Sequence, residues 1–226
     1  MPLTATRKHS LTGMLCGLTR GRVCTRSTLR SARATDTTCA LDGNNSTVVN
    51  GTDQASAFMA HAYDQPEVVA GVGIAAREIV SQANDVDSVV VAVGGGGLIA
   101  GIASWVRDEQ TAVAAEPERC RSYNAAIAAG GPTEVEVGGV AASSLAAASI
   151  GEHTRHARRW IDRSVLVSDD PIVDTQKWLW VNIRLAVEPP AATTVASLMS
   201  GSYLPGPGEH VVAMLSGVNV DPSTVV

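Results

Sequence analysis

Four consecutive glycines directly after a predicted buried strand form the strongest chemical signal in this sequence. The strand is predicted at residues 87–93, and a helix is predicted from about Leu98 to Asp108. Because glycine has no Cβ, several backbone N–H groups can converge on one point there, and the helix start adds unpaired N–H groups and a positive dipole end. A tight turn would need only one glycine, so we interpret residues 94–97 as a phosphate-binding loop.

Two classes of cofactor could supply that phosphate. A dinucleotide site also needs an acid near the end of the next strand, and Glu116 lies about 20 residues downstream. The stretch Gly71-Val-Gly73-Ile-Ala-Ala76 fits the loose GxGxxA pattern, but Pro66 makes the segment before it a helix start and not a strand. Pyridoxal phosphate carries a single phosphate and needs one compact cradle without a ribose-binding acid. On these residues alone both classes stay open.

The elements around this loop alternate between strands and helices from about residue 46. Strands are predicted at residues 46–49, 87–93, 111–115, 164–167 and 210–215, and helices at 53–60, 66–82, 98–108, 121–129, 141–150, 153–162, 168–182 and 189–200. Asp64 is expected to cap the helix that Pro66 opens, and Trp178 and Trp180 are expected to pack in the core. The alternation predicts an α/β fold with an open, mostly parallel sheet and helices on both faces.

Composition excludes several other functions. The 226 residues carry a net charge of −5 with 4% aromatic residues, which argues against nucleic-acid binding. No apolar run reaches the roughly 18 residues that a membrane span requires. The four cysteines match no zinc pattern and indicate reduced thiols in a cytoplasmic protein. His153 and His156 lie among arginines, so we predict a solvated helix face there and no metal site.

The first 45 residues differ from the rest of the chain. Residues 1–35 contain seven basic side chains and no acid. We therefore predict a basic leader at 1–45 that is disordered or non-homologous, followed by an α/β phosphate-binding domain at 46–226.

Several stretches now resemble one family in their order and spacing. The strand, the glycines and Leu98 resemble the phosphate loop of pyridoxal-phosphate enzymes of the tryptophan-synthase-β superfamily (fold type II), and most closely the threonine/serine dehydratases or ammonia-lyases. Six further stretches are similar to family segments: His61-Ala-Tyr-Asp-Gln-Pro-Glu-Val-Val-Ala-Gly71, Ala115-Glu-Pro-Glu118, Val137-Gly-Gly-Val-Ala-Ala-Ser-Ser-Leu145, Val167-Ser-Asp-Asp170, Val187-Glu-Pro-Pro-Ala-Ala192 and Leu215-Ser-Gly-Val-Asn219. The resemblance covers about residues 46–222 and implies an incomplete fold type II core.

The resemblance implies roles for nine residues. Backbone groups would hold the phosphate of pyridoxal phosphate at Gly94, Gly95, Gly96, Gly97 and Leu98. Gly139 and Val140 would line the cofactor ring, Glu188 would join a polar network at the ring edge, and Ser216 would bond to the pyridine nitrogen. A hydroxyl does not force that nitrogen to stay protonated, which suits elimination of a β-hydroxyl group. The implied reaction converts an amino acid, threonine or serine, into a 2-oxo acid and ammonia, in a homo-oligomer.

The family also requires a lysine that forms the internal Schiff base well upstream of the glycine loop. This chain has two lysines, and neither Lys8 in the leader nor Lys177 in a predicted helix lies in a matching context. We therefore assign no catalytic residue and expect a truncated or rearranged member that binds the cofactor noncovalently and does not turn over alone. The alternatives are a nicotinamide-dinucleotide oxidoreductase and a noncatalytic relic or interaction subunit.

Overall fold

The computed structural model describes residues 61–83 and 85–224, together with a short antiparallel pair of strands, β1 (Ala40–Leu41) and β2 (Thr47–Val48). The strand predicted at 46–49 is confirmed by β2. The helix predicted at 53–60 and most of the predicted leader lie outside the described residues.

A parallel sheet of four strands organises the described chain. Its strands stand in the order β5-β4-β3-β6, and they are β3 (Ser88–Ala92), β4 (Thr111–Pro117), β5 (Ile161–Val167) and β6 (Val211–Ala213). The helices within the described residues are α1 (Pro66–Gln82), α2 (Gly97–Val106), α3 (Ser122–Ala129), α4 (Glu152–Ala157), α5 (Asp169–Ile183) and α6 (Pro189–Met199). The predicted α/β fold with an open parallel sheet is therefore confirmed.

The central strand β3 is buried on both sides, as its apolar sequence predicts. Side chains alternate along a strand, so Val89 and Val91 face one layer while Val90 faces the other. The first layer contains α1, α2 and α3, and the second contains α6 and Tyr203. Helices on both faces of the sheet are thus confirmed.

Helices α1 and α2 approach each other closely because glycines lie at their crossing. A Cβ on Gly101 would lie 2.5 Å from the carbonyl oxygen of Val69 and 2.9 Å from the backbone nitrogen of Gly73. A Cβ on Gly73 would in turn lie 3.1 Å from the carbonyl oxygen of Gly101. The GxGxxA match at residues 71–76 is therefore a helix-packing pattern inside α1 and not a nucleotide loop.

Glu116 caps the start of α3 from a fully buried position at the end of β4. Its two carboxylate oxygens accept hydrogen bonds from the backbone N–H groups of Tyr123 and Asn124, both at 2.8 Å. Burial raises the pKa of Glu116 to about 7, although these hydrogen bonds act in the opposite direction. The carboxylate thus satisfies two N–H groups of the first helical turn that would otherwise be unpaired.

Two predicted helices are wrong. Residues 141–150 form turns and not a helix, because this loop bonds to other segments: the Val135 N–H, for example, donates to the carbonyl of Ala148. The helix predicted at 153–162 ends as α4 at Ala157, and after one 3₁₀ turn the chain enters β5 at Ile161. Alanine-rich composition favours a helix at residues 141–150, and tertiary contacts override that preference.

Three predicted side-chain positions also need correction. Gln65 and not Asp64 is the N-cap of α1, and the Asp64 carboxylate bonds to His153 instead. Trp178 is 43% exposed, so its predicted place in the core is wrong, and Trp180 is half-buried. Both tryptophans lie on α5, whose buried face is formed by other residues, Leu179 among them.

Predictions from composition also concern membrane spans, cysteines and metal ligands, and the described residues show the following. None of its helices has the length and hydropathy needed to cross a bilayer. Cys120 is a free, buried thiol, and among the residues that the structure describes no group of three His, Cys, Asp or Glu could hold a metal ion. On α4, Glu152 pairs with Arg155 at 2.8 Å.

The glycine contact between α1 and α2 predicts opposite effects for two alanine substitutions. Gly101→Ala forces a methyl group against backbone and is expected to lower the free energy of unfolding by about 2 kcal/mol. Gly71→Ala, at an exposed position of α1 with no atom within 4 Å of the added Cβ, is the matched control and raises it by about 0.5 kcal/mol. Urea unfolding measures both, and equal effects would contradict the packing described here.

The buried Glu116 carboxylate predicts a pH dependence of stability. An acid whose pKa is raised on folding binds more protons in the folded than in the unfolded state, so the free energy of unfolding falls as the pH rises from 4.5 to about 7. Glu116→Gln removes this contribution, which reaches about 3 kcal/mol across that window. Urea unfolding at several pH values tests it, with Glu118→Gln, at an exposed carboxylate, as control. Parallel curves for wild type and Glu116→Gln would refute the assignment.

Candidate functional site

The candidate site lies at the carboxyl edge of the parallel sheet. The glycine loop, residues 94–97, joins β3 to α2, and the segment after β6 leaves the neighbouring strand at the same edge. Ligands of open α/β sheets bind at this edge because all the strand-to-helix loops meet there. Gly96 is the N-cap of α2 and has φ +90°, a left-handed conformation that glycine adopts without strain.

Three carbonyl groups of the glycine loop are bonded to the protein. The Gly94 carbonyl accepts from the Ser122 hydroxyl at 2.7 Å, and the Gly95 carbonyl accepts from the Gly151 N–H at 3.0 Å and the Thr154 hydroxyl at 3.2 Å. The Gly96 carbonyl accepts the N–H of Ala100 at 2.9 Å.

The backbone N–H groups of the same loop are not bonded to the described part of the protein. Across residues 61–83 and 85–224, no acceptor receives a hydrogen bond from the N–H groups of residues 94–99. Six consecutive amide donors at the start of a helix, beside the helix's positive dipole end, form a cradle for an anion. The loop therefore has the donors that a phosphate needs.

The glycines are also required because the loop packs closely against neighbouring protein atoms. A Cβ on Gly96 would overlap the Thr154 side chain, and one on Gly97 would lie 2.5 Å from the carbonyl oxygen of Tyr63. A Cβ on Gly95 would overlap the Tyr63 ring. The run of glycines thus lets the loop lie directly on its own supporting residues.

A hydrogen-bonded pair holds Tyr63 in this position. The Asp64 carboxylate accepts the backbone N–H of His153 at 3.0 Å and contacts the His153 ring nitrogen at 2.8 Å. Burial by itself would raise the pKa of Asp64, but the bonds from His153 and from the Glu152 backbone lower it below its ordinary value. The segment before α1 is thereby fastened to α4, which also supplies Thr154.

Glu188 joins two further predicted pieces of the site. One carboxylate oxygen accepts the Ser144 hydroxyl at 2.8 Å, and the other accepts the backbone N–H of Asn219 at 2.9 Å. The Glu188 N–H donates to the carbonyl of Gly217 at 3.1 Å. Leu145 packs against Gly94, because a Cβ added to Gly94 would lie 3.1 Å from Leu145 Cδ2. The glycine loop, the loop at 139–145 and the segment after β6 therefore form one cluster.

The remaining predicted residues lie in or beside this cluster. Ser216 is exposed, and its hydroxyl has no hydrogen-bond partner in the described part of the chain. Val140 packs against the cluster of Val167, Val187 and their neighbours, and Gly139 has φ +76° beside Asp169. Leu98 is half-buried at the start of α2. Their contacts with a ligand stay predictions.

Lys177 and the dinucleotide acid Glu116 fall outside this arrangement. Lys177 is exposed on α5, and Lys8 lies outside the described residues. Both carboxylate oxygens of Glu116 accept hydrogen bonds from N–H groups of α3, and the side chain is fully buried. Glu116 therefore does not present an acceptor to a ribose. The geometry therefore disfavours the dinucleotide alternative.

The residues that support the loop, namely Ser122, Thr154 and Tyr63, carry no local signal in the sequence. Ser122 and Thr154 are separated from the carbonyls they bind by 28 and 59 residues. No local motif marks a serine or threonine that bonds over such a distance. Only the arrangement of α3 and α4 around the sheet identifies them.

The curated proteins that are similar to this chain include dehydratases. The chain is 32% identical to phenylserine dehydratase of Ralstonia pickettii over 175 residues, covering 74% of this chain and 52% of that protein. It is 34% identical to the biosynthetic L-threonine dehydratase of Haemophilus influenzae over 166 residues, covering 70% of this chain and 32% of that protein. The chain therefore spans about half the length of these relatives or less.

Solved structures and a family model also relate the chain to pyridoxal-phosphate enzymes. Threonine deaminase isoform 2 of Solanum lycopersicum superposes with a TM-score of 0.70 at 28% identity, covering 77% of this chain and 52% of that one. Maize serine racemase superposes with the same TM-score at 26% identity, covering 77% and 55%. The model of the family described as pyridoxal-phosphate dependent enzyme matches residues 31–217. This chain belongs to that family, and its fold is that of the fold type II enzymes.

Proposed function

We propose that this chain binds pyridoxal phosphate at the glycine loop and forms the phosphate-binding part of a dehydratase that acts on a β-hydroxy-α-amino acid, threonine or serine. The relatives include dehydratases of phenylserine, threonine and β-hydroxyaspartate. These three substrates share an α-amino group and a β-hydroxyl group. That shared chemistry supports the substrate class, and the reaction is elimination to a 2-oxo acid and ammonia.

The unpaired N–H groups of the glycine loop carry the proposal. A phosphate monoester would accept hydrogen bonds from the amides of Gly94, Gly95, Gly96, Gly97 and Leu98. The dipole of α2 adds about 0.3–2 kcal/mol toward a bound anion. A cradle of this size takes one compact phosphate, which agrees with the family.

The ring of the cofactor would lie between the loop at 139–145 and the segment after β6. Bound pyridoxal phosphate supplies an electron sink for the bonds at the substrate Cα. Ser216 is exposed, its hydroxyl has no partner among the described residues, and it could bond to the pyridine nitrogen. Glu188 holds the segment after β6 in place through Asn219. Gly139 and Val140 would pass over the ring. Ser216 and Glu188 therefore orient the ring rather than bond to the substrate.

No residue of this chain is proposed as the Schiff-base lysine. An amine with that task must be desolvated or lie next to a cation to be neutral at working pH, and Lys177 is exposed instead. We propose that the 226-residue chain binds the cofactor noncovalently and does not turn over alone. The boundary at residue 45, the homo-oligomer and the cytoplasmic location stay predictions.

Cofactor binding is tested at the left-handed glycine of the loop. Gly96→Ala places a methyl group against Thr154 and strains the loop, and it is expected to weaken pyridoxal phosphate binding by at least about tenfold. Gly130→Ala, at φ +79° with no atom near the added Cβ, introduces similar backbone strain outside the site and keeps wild-type affinity. Equilibrium dialysis measures both affinities. A wild-type chain that does not retain the cofactor would contradict the proposed function.

The absence of a Schiff-base lysine is tested by chemical trapping. After incubation with pyridoxal phosphate and borohydride, mass spectrometry is expected to find no stoichiometric lysine adduct, because Lys177 is exposed on α5 and no pocket of the described residues desolvates its amine. Ammonia release from threonine is expected to be absent as well. A stoichiometric adduct on Lys8 or Lys177, together with ammonia release that Lys8→Ala or Lys177→Ala abolishes, would show that the chain is a complete catalyst.

A further inference from the structure

We infer that Ser122 and Thr154 are positioning residues that aim the N–H groups of the glycine loop at the phosphate. They do so from behind the loop, by holding its carbonyl groups. This inference rests on the proposed cofactor and adds two residues that no resemblance or comparison assigns to the site.

The geometry of the peptide bond connects the two sides of the loop. In a trans peptide the carbonyl of one residue and the N–H of the next point in opposite directions. The Ser122 bond to the Gly94 carbonyl therefore sets the direction of the Gly95 N–H. The Thr154 hydroxyl, together with the Gly151 N–H, holds the Gly95 carbonyl and so sets the direction of the Gly96 N–H. Three successive carbonyls are bonded to the protein, since Ala100 holds that of Gly96, and the free N–H groups face the other side.

The loop needs this restraint because of its composition. Glycine has the largest conformational freedom of any residue, and four in a row can rotate each peptide plane independently. A binding site whose donors are already oriented avoids the entropy cost of ordering them when the ligand arrives. The two hydroxyls thus convert a flexible tetraglycine into an ordered set of donors.

Both hydroxyls are themselves held rigidly. Ser122 and Thr154 are completely buried. Ser122 is the first residue of α3, whose next two N–H groups are bound by Glu116. Thr154 lies in α4, which is fastened to the segment before α1 through the pair of Asp64 and His153. The orientation of the loop is therefore transmitted from two separate helices.

A merely structural role for these hydroxyls makes a different prediction from a positioning role. If they only satisfy buried carbonyls, removing one lowers stability and affects every ligand of the site equally. If they orient the donors, the loss falls on ligands that carry a phosphate. Pyridoxal phosphate and pyridoxal differ in that group alone and therefore separate the two roles.

The affinity experiment uses substitutions in the full chain that remove one hydroxyl group. Thr154→Val and Ser122→Ala are expected to weaken pyridoxal phosphate binding by about fivefold each, the loss typical of one hydrogen bond, and to leave pyridoxal binding unchanged. Thr154→Ser keeps the donor and restores affinity. Thr193→Val is the control, because that hydroxyl is also completely buried but bonds within α6, to the carbonyl of Pro189 at 2.9 Å. Equal losses for both ligands would overturn the inference.

A second measurement does not depend on any cofactor. In the ligand-free protein, ¹⁵N relaxation is expected to show more mobile N–H groups at Gly95 for Ser122→Ala and at Gly96 for Thr154→Val, and no change for Thr193→Val. Unchanged N–H groups in both loop variants would refute the positioning role. A wild-type chain that binds neither pyridoxal phosphate nor pyridoxal would defeat the proposed function, while the relaxation data would still decide this inference.

Discussion

The candidate site depends on the direction in which the peptide groups of the glycine loop point. The carbonyls of Gly94, Gly95 and Gly96 face the protein and are bonded there. Their partner N–H groups consequently face away, and none has an acceptor among the described residues. Reversing a single peptide plane would bury an N–H and present a carbonyl oxygen to the anion, which repels it. The rest of the fold supplies the groups that prevent this reversal.

The parallel sheet brings those groups together. Parallel strands deliver all their carboxyl ends to one edge, so the loops after β3, β4 and β6 are neighbours although they are far apart in sequence. Ser122 reaches the glycine loop from α3, and Thr154 reaches it from α4. Glu188 connects the loop at 139–145 with the segment after β6. Each connection is a polar contact between segments that only the sheet brings together.

Hydrophobic pattern explains why much of the fold was predictable. The apolar run of β3 and the periodic helices α1 and α2 have strong local signals, and their predicted bounds agree with the structure to within about two residues. The prediction failed at residues 141–150 and at the end of α4. Residues 141–150 are alanine-rich, so local propensity assigns them to a helix, while bonds to other segments hold them in turns. After α4 the chain enters β5 at Ile161 instead of continuing as a helix.

The sequence alone determined the fold class and the family, because these follow from local periodicity and from the order of motifs. It also predicted an anion-binding loop at residues 94–97, from the missing Cβ atoms. Tertiary structure alone decided the direction in which the N–H donors of the loop point. It also decided the role of Glu116, whose carboxylate was considered as a ribose ligand and instead caps α3. The physical reason is the separation along the sequence. The conformational freedom of a glycine is a local property, but the two hydroxyls that restrict it lie 28 and 59 residues away, and only folding brings them near.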